Sequence, residues 1–348
     1  MTIPWSKCAA WLTLIAITGC ATPYIHPESS RHTTPALRAD HAVMGDGYAL
    51  PLKVWHANPQ PRAIVLALHG MNDYSNAYAA TGPYLAQHHI TTYAYDQRGF
   101  GASAYAGLWH GEQRMIEDVG QLTRLLRAAY PNQPLYLMGE SMGGAVVLSA
   151  LSGNTPPLAD GVILLAPAVW ARDTMPFYQR LALWLAVHTM PGKRFTGEGL
   201  EITPSDNIEM LKALGQDPLF IKATRVDVMH GVTNLMDSAQ HSAWQPDRPI
   251  LILYGQRDEI IPKRPTCRLF AQLPEGPDRH WQGIVYPDGY HMLTRDLQGE
   301  KVLNDIAAWI LHTAGVAPQV EFSNDTLTPG EFCAPAPPTG EAWFDDDL

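Results

Sequence analysis

The chain has 348 residues, 46% of them hydrophobic and only 17% charged. That balance is too apolar for a disordered polypeptide and sufficient to bury a full core. Acids outnumber bases 34 to 24, the formal net charge is -10, and no Lys/Arg-rich run occurs, which excludes an obvious nucleic-acid surface. Four cysteines are too few for a disulfide-stapled scaffold, and neither a CxxC nor an HExxH pattern points to zinc.

Residues 1–19 have the look of a signal peptide. Lys7 precedes an apolar stretch from about Ala9 to Thr18, too short to cross a ~30 Å hydrocarbon core but suited to an export signal. The run Ile17-Thr18-Gly19-Cys20 resembles a bacterial lipobox. The resemblance implies cleavage before Cys20, a lipid on its thiol, and, with Ala21 next, anchoring in the outer membrane. Export would leave Cys267 and Cys333 in an oxidising compartment where thiols can pair. A bridge between them and two separate thiols both stay open, because sequence does not give their separation.

Residues 20–40 are polar and proline-bearing, without an apolar period, and read as a tether. Ala42–Met44 and Tyr48–His56 flank Gly45-Asp46-Gly47, a hairpin signal. Arg62–Leu68 is a continuous apolar run, the pattern of a buried parallel strand. Ser75 is placed to cap a helix through about His89, and Ile90–Tyr95 is the next strand. Over residues 112–129, Ile116, Val119, Leu122, Leu125, Leu126 and Ala129 share one helical face. Leu135–Met138 is a strand, Met142–Leu151 a helix, and Gly161–Leu165 the sixth strand.

The alternation then breaks. Residues 168–244 carry mixed helical patterns and no obvious strand, so they form an insertion. Within it, residues 175–188 are apolar round most of a helix, which requires burial or contact with something apolar. Pro249–Tyr254 and Gly283–Tyr286 resume the strands, and a helix follows near Lys301–His312. The core therefore comprises 41–167 and 245–314. Residues 315–348, rich in proline and acid, read as an extended strap rather than a helix. Strand–helix alternation predicts an α/β fold with a mostly parallel central sheet covered on both faces.

Gly139-Glu140-Ser141-Met142-Gly143 is a GxSxG pattern, which chance alone produces in roughly one chain in ten of this length. Its place between strand and helix is what a nucleophile elbow needs. The sharp turn strains the serine backbone, and the flanking glycines remove bulk two residues away. A serine hydroxyl needs a base, and the base needs an orienting acid. Asp258 and His291 supply them in the order Ser…Asp…His, each just past a predicted strand. Glu259 is the rival acid, Asp288 reads as a turn residue, and His69 as a structural histidine. For the oxyanion, the amides of Met142, after the nucleophile, and Met71, after the third strand of the alternation, are the candidate donors.

The segments HGMND (69–73), YDQRGFGAS (95–103), GESMGG (139–144), YGQRDEIIP (254–262) and DGYHML (288–293) together resemble the α/β-hydrolase superfamily. More narrowly they are similar to its monoacylglycerol lipase and lysophospholipase branch. The resemblance implies an α/β-hydrolase fold with a helical cap inserted after the sixth strand. It implies a serine carboxylic-ester hydrolase acting on monoacylglycerols, lysophospholipids or another small ester, with no metal or cofactor. It also implies that Asp96 and Arg98 organise loops rather than perform chemistry. Two other readings compete. An aminopeptidase-type capped hydrolase needs a cap carboxylate for the substrate ammonium, for which Glu198, Glu201 and Glu209 are available. A non-catalytic surface lipoprotein needs neither triad nor elbow.

Overall fold

The computed structural model of the chain describes residues 21–242, 247–276, 280–317 and 321–335. The signal segment 1–19, Cys20 and the last residues of the tail lie outside the described residues. The central sheet begins with β1 (Ala36–Leu37), β2 (His41–Val43) and β3 (Ala49–Trp55) and continues through β4 (Ala63–Leu68), β5 (Ile90–Tyr95), β6 (Leu135–Glu140) and β7 (Gly161–Leu165). The short pair β8 (Arg194–Thr196) and β9 (Ala223–Arg225) stays outside it, and β10 (Ile250–Gly255) and β11 (Trp281–Tyr286) complete it. Strand order is β1-β2-β3-β5-β4-β6-β7-β10-β11, antiparallel as far as β5 and parallel from there on.

The continuous apolar run of β4 is buried at every residue, and the pleat divides it. Ile64, Leu66 and Leu68 enter one core cluster, while Ala63, Val65 and Ala67 enter a second on the opposite face. Helices α1 (Thr81–Gln87) and α8 (Gly299–Thr313) cover the second face, through Leu85, Val302, Ile306 and Ile310. The first face is covered by α2 (Glu112–Ala129), α3 (Met142–Leu151), α6 (Val226–Gln240) and α7 (Lys263–Gln272). Between β7 and α6 stand α4 (Phe177–Thr189) and α5 (Ile208–Gln216).

Several expectations change. The helix expected from Ser75 is two pieces, a 3₁₀ turn at Ser75–Tyr78 and α1. Pro83 has no N–H to donate backwards, so the helix restarts at Thr81, where the first turn needs no donor. The insertion contains strands after all, because β8 and β9 are three residues each, too short to display a period. Within the expected insertion, Val228, Val232, Leu235 and Met236 of α6 pack in the sheet's own cluster. Residues 321–328 of the tail are free of helix, as a strap would be, but a short helix follows, α9 (Pro329–Cys333). Thr328 and Glu331 make reciprocal caps with Pro329 in the first turn, a combination that starts a helix even in proline-rich surroundings.

Residues 21–35 also differ from a free tether. Ala21 N–H donates to the His188 carbonyl (2.9 Å), His26 N–H to Trp109 (2.7 Å) and Thr33 N–H to Gly45 (2.7 Å). The segment has no apolar period because main-chain hydrogen bonds and polar side chains, rather than a buried apolar stripe, make the attachments. At the other end, Leu327 pairs with Val285 of β11, Phe332 is buried, and the Cys267 and Cys333 sulfurs are bonded with their Cα atoms 5.6 Å apart.

Candidate active site

Strand β6 runs directly into α3, and Ser141, at the junction, has φ 51° and ψ −116°. A non-glycine residue there carries strain of about 1–3 kcal/mol, so the surroundings must hold it. The Ser141 N–H donates to Leu165 C=O (2.9 Å), and its C=O accepts from Ala145 N–H (3.1 Å) and Ala168 N–H (2.9 Å). The elbow closes because its glycines have no side chains: a Cβ on Gly143 would lie 2.2 Å from the Leu68 carbonyl oxygen, and one on Gly139 would lie 2.6 Å from that of Gly143.

Asp258 and His291 meet across 33 residues of sequence, His291 Nδ1 donating to Asp258 Oδ2 at 2.7 Å. The other carboxylate oxygen accepts from Ile260 N–H (2.8 Å) and Ile261 N–H (2.9 Å), which fixes the acid's orientation. With the proton on Nδ1, Nε2 is the basic nitrogen. Burial pushes the His291 pKa down, but the charge and hydrogen bond of Asp258 outweigh it, leaving it above the ordinary histidine value. Among the described residues no hydrogen bond joins Ser141 to His291. The carboxylate–imidazole pair is formed, and a contact from it to the serine is not made.

The rivals are engaged elsewhere. Glu259 accepts from Thr203 N–H in the cap (2.6 Å), and Asp288 pairs with Arg257 at the surface. His69 Nε2 accepts from Gln97 N–H (3.0 Å), so its proton is on Nδ1, donating to Gly70 C=O (2.8 Å). Both nitrogens are used, and burial pushes its pKa down. The loop it begins lies against the elbow: a Cβ on Gly70 would be 3.3 Å from Ser141 Cβ. Among the described residues the Met71 and Met142 amides have no protein acceptor, so two N–H groups flank Ser141 unengaged.

Asp96 and Arg98 are fully occupied in loop architecture. Asp96 accepts from Ser75 N–H and Ala102 N–H, both at 2.8 Å. Buried Arg98 bonds Asp118 (2.6 Å through Nε) and Asp46 (2.6 Å through Nη1).

A second buried network was not anticipated. Arg295 donates through Nη1 to Asp73 (2.6 Å) and through Nη2 to Glu140 (2.7 Å). It thereby ties together the loop of Met71, the elbow and the loop of His291. The partners lie 222 and 155 residues away in sequence, so no local pattern announces them. The cap completes the enclosure. Pro204 C=O accepts from Met292 N–H (3.0 Å), Ser205 donates to Asp296 (2.6 Å), and Asn72 donates to Thr224 (2.7 Å). Asp296, pushed up to about 6 by burial, also accepts from Tyr290 N–H (2.8 Å) beside His291.

The apolar helix α4 does not pack inward. Phe177, Tyr178, Leu181, Trp184 and Leu185 are each between 48% and 70% exposed, and Val187 is the buried residue of the helix. Their spacing puts them on one face, aimed at solvent. Glu198, Glu201 and Glu209 are exposed as well, with Glu209 paired to Lys212 (2.8 Å).

A doubly covered parallel sheet whose central strand turns sharply into a helix at a serine defines an α/β hydrolase. The sequence agrees: residues 59–298 match the family described as serine aminopeptidase, S33, and the chain belongs to it. Its relatives include a monoacylglycerol lipase of Mycolicibacterium smegmatis, 26% identical over 287 residues (79% of this chain, 97% of that protein). The monoglyceride lipase of Rattus norvegicus is 25% identical over 297 residues (84% and 96%). In structure the chain is similar to a soluble variant of the Saccharomyces cerevisiae monoglyceride lipase, solved with a substrate analog. That likeness has a TM-score of 0.67 and 21% identity, over 84% of this chain and 99% of that one.

Proposed function

We propose that the protein is a serine hydrolase cleaving carboxylic esters of monoacyl lipids, monoacylglycerols or lysophospholipids. The observation that carries the reading is the 2.7 Å bond from His291 to Asp258 in a chain whose serine occupies a strained elbow. Ser141 Oγ attacks the ester carbonyl carbon while His291 Nε2 takes its proton. The Met71 and Met142 amides receive the tetrahedral oxyanion. The carbon–oxygen bond to the alcohol breaks, His291 returns the proton to the leaving oxygen, and an acyl-Ser141 remains. Water then attacks by the same route and releases the fatty acid. Before attack, Ser141 Oγ must come within hydrogen-bond reach of His291, since free enzymes often hold that contact open.

Lipid substrates are supported by the relatives named as monoacylglycerol and monoglyceride lipases and by the exposed apolar face of α4. With the lipobox, the reading extends to location. Residues 1–19 direct export, Cys20 carries lipid, and the enzyme works at the outer membrane beside its substrate. An aminopeptidase reading draws on the family's description, but the exposure of Glu198, Glu201 and Glu209 gives a substrate ammonium no buried partner among them. The test is a panel on residues 21–348 with Ser141→Ala as the blank, comparing monoacylglycerol, lysophospholipid, short p-nitrophenyl esters and an aminoacyl arylamide. Turnover of monoacyl lipids lost in Ser141→Ala is expected. Arylamide cleavage alone would transfer the assignment to peptides, and turnover surviving in Ser141→Ala would reject the site.

A further inference from the structure

The first described residue, Ala21, directly follows Cys20 and is hydrogen-bonded to the carbonyl of His188, in the last turn of α4. His188 lies on the same helical face as Phe177, Leu181 and Trp184, and its ring stands 4.6 Å from that of Trp184. From there the chain crosses to the core at defined points. The His26 ring lies 4.0 Å from Tyr105 and 4.6 Å from His110. Glu28 pairs with Arg114 of α2. Thr33 donates both its N–H (2.7 Å, to Gly45) and its hydroxyl (2.8 Å, to Met44) before the chain enters β1. Trp109, which accepts the His26 N–H, itself packs on α6: a Cβ on Gly231 would lie 2.4 Å from its ring.

We propose that residues 21–35 are an orienting strap. They deliver the chain's attachment point to the end of the exposed apolar helix, so that a lipid on Cys20 and the α4 stripe enter one lipid surface together. The inference rests on the lipid attachment at Cys20 proposed above. A flexible linker of this length would span about 20 Å and leave the domain free to turn any face to the membrane. A strap seated at four points removes that freedom and makes insertion of the stripe an intramolecular step. The occupant is a zwitterionic bilayer, because α4 carries Arg180 as its one Asp, Glu, Lys or Arg side chain, far short of the basic cluster by which anionic lipid is recognised.

The test uses the full chain, processed and purified from membranes, in phosphatidylcholine vesicles, with an environment-sensitive dye at Leu185→Cys. Native strap is compared with residues 22–35 replaced by an equally long Gly/Ser linker, and with Glu28→Arg, which opposes Arg114 with a like charge. Quenching of the dye by nitroxide-bearing lipid should fall at least threefold in the linker variant and measurably in Glu28→Arg. Hydrolysis of a short soluble ester should stay the same in each. Equal quenching with strap and linker overturns the proposal. The mass of the N-terminal peptide reads the underlying assumption separately: an unacylated Cys20 removes the anchor, whatever the dye reports.

Discussion

Arg295 reaches Glu140 at 2.7 Å, joining the loop of the proposed base to the residue immediately before the proposed nucleophile. With Asp73 as its second partner, one guanidinium ties the end of β6 to two loops from distant parts of the chain. Both carboxylates are buried, so removing the cation leaves two charges without compensation. Arg295→Met should cost about 3–5 kcal/mol of stability and lower kcat more than it changes KM. Arg295→Lys, with a point charge in place of the fork, should recover part of each. Denaturant midpoints with steady-state kinetics check this, and a Met variant as stable and active as the parent would refute the role.

The raised pKa of His291 sets an acid limb. A base must be neutral to accept the serine proton, so kcat/KM should rise with pH through a value above 6.5, the ordinary histidine value. Asp258→Asn removes the charge that outweighs burial. Its limb should move to lower pH, while kcat drops by about 10³–10⁴-fold. A pH–rate profile of both proteins measures the two effects, and an unshifted limb would separate Asp258 from the titration. The same protonation favours folding at low pH: its contribution is complete below the unfolded value and is lost as pH rises through the folded one.

Gly143 faces the Leu68 carbonyl so closely that a methyl group has nowhere to go, the obstruction being backbone. Gly143→Ala should therefore open the elbow or unfold the protein. Labelling of Ser141 by a fluorophosphonate, read beside circular dichroism, separates the outcomes. Full labelling at the parental rate is the result that contradicts the geometry.

The Cys267–Cys333 bond encloses 66 residues of sequence, for which chain-entropy estimates give about 4 kcal/mol. Reduction, or Cys267→Ser with Cys333→Ser, should lower Tm by roughly 5–10 °C. Activity at 25 °C should change little, because the bond lies beside Trp281, Gln282 and Gly283 at the start of β11, the opposite end of that strand from His291. Scanning calorimetry with and without reductant is the measurement.

The parts of this molecule that sequence discloses are those written in local pattern. Apolar runs gave the strands, and glycines two residues either side of Ser141 between a strand and a helix gave the elbow. Asp258 and His291 were findable because each follows a strand's carboxyl end. Arg295 was hidden by its distance from both partners, although an Arg four residues after the histidine was in plain view. Residues 175–188 read as apolar round most of a helix, and that composition does not say whether the apolar side chains turn to the core or to solvent. Main-chain hydrogen bonds leave no side-chain signature, and scattered polar contacts such as Glu28 with Arg114 leave no period, which is why residues 21–35 read as a tether. Thr328-Pro329-Gly330-Glu331 did carry a helix-start signal, obscured by the prolines around it.

The pairing of Leu327 with Val285, through hydrogen bonds of 2.9 and 2.8 Å, has a meaning apart from the stability of the bond that follows it. Strand β11 is the last of the sheet, and an uncovered edge offers its backbone to any passing strand. Leu327 occupies part of that edge, and α9, fastened through Cys333, sits over it with Pro329 against Gly283. A chain trimmed before Leu327 would lay that edge bare, and strand-to-strand association that the full chain does not show is the expected consequence.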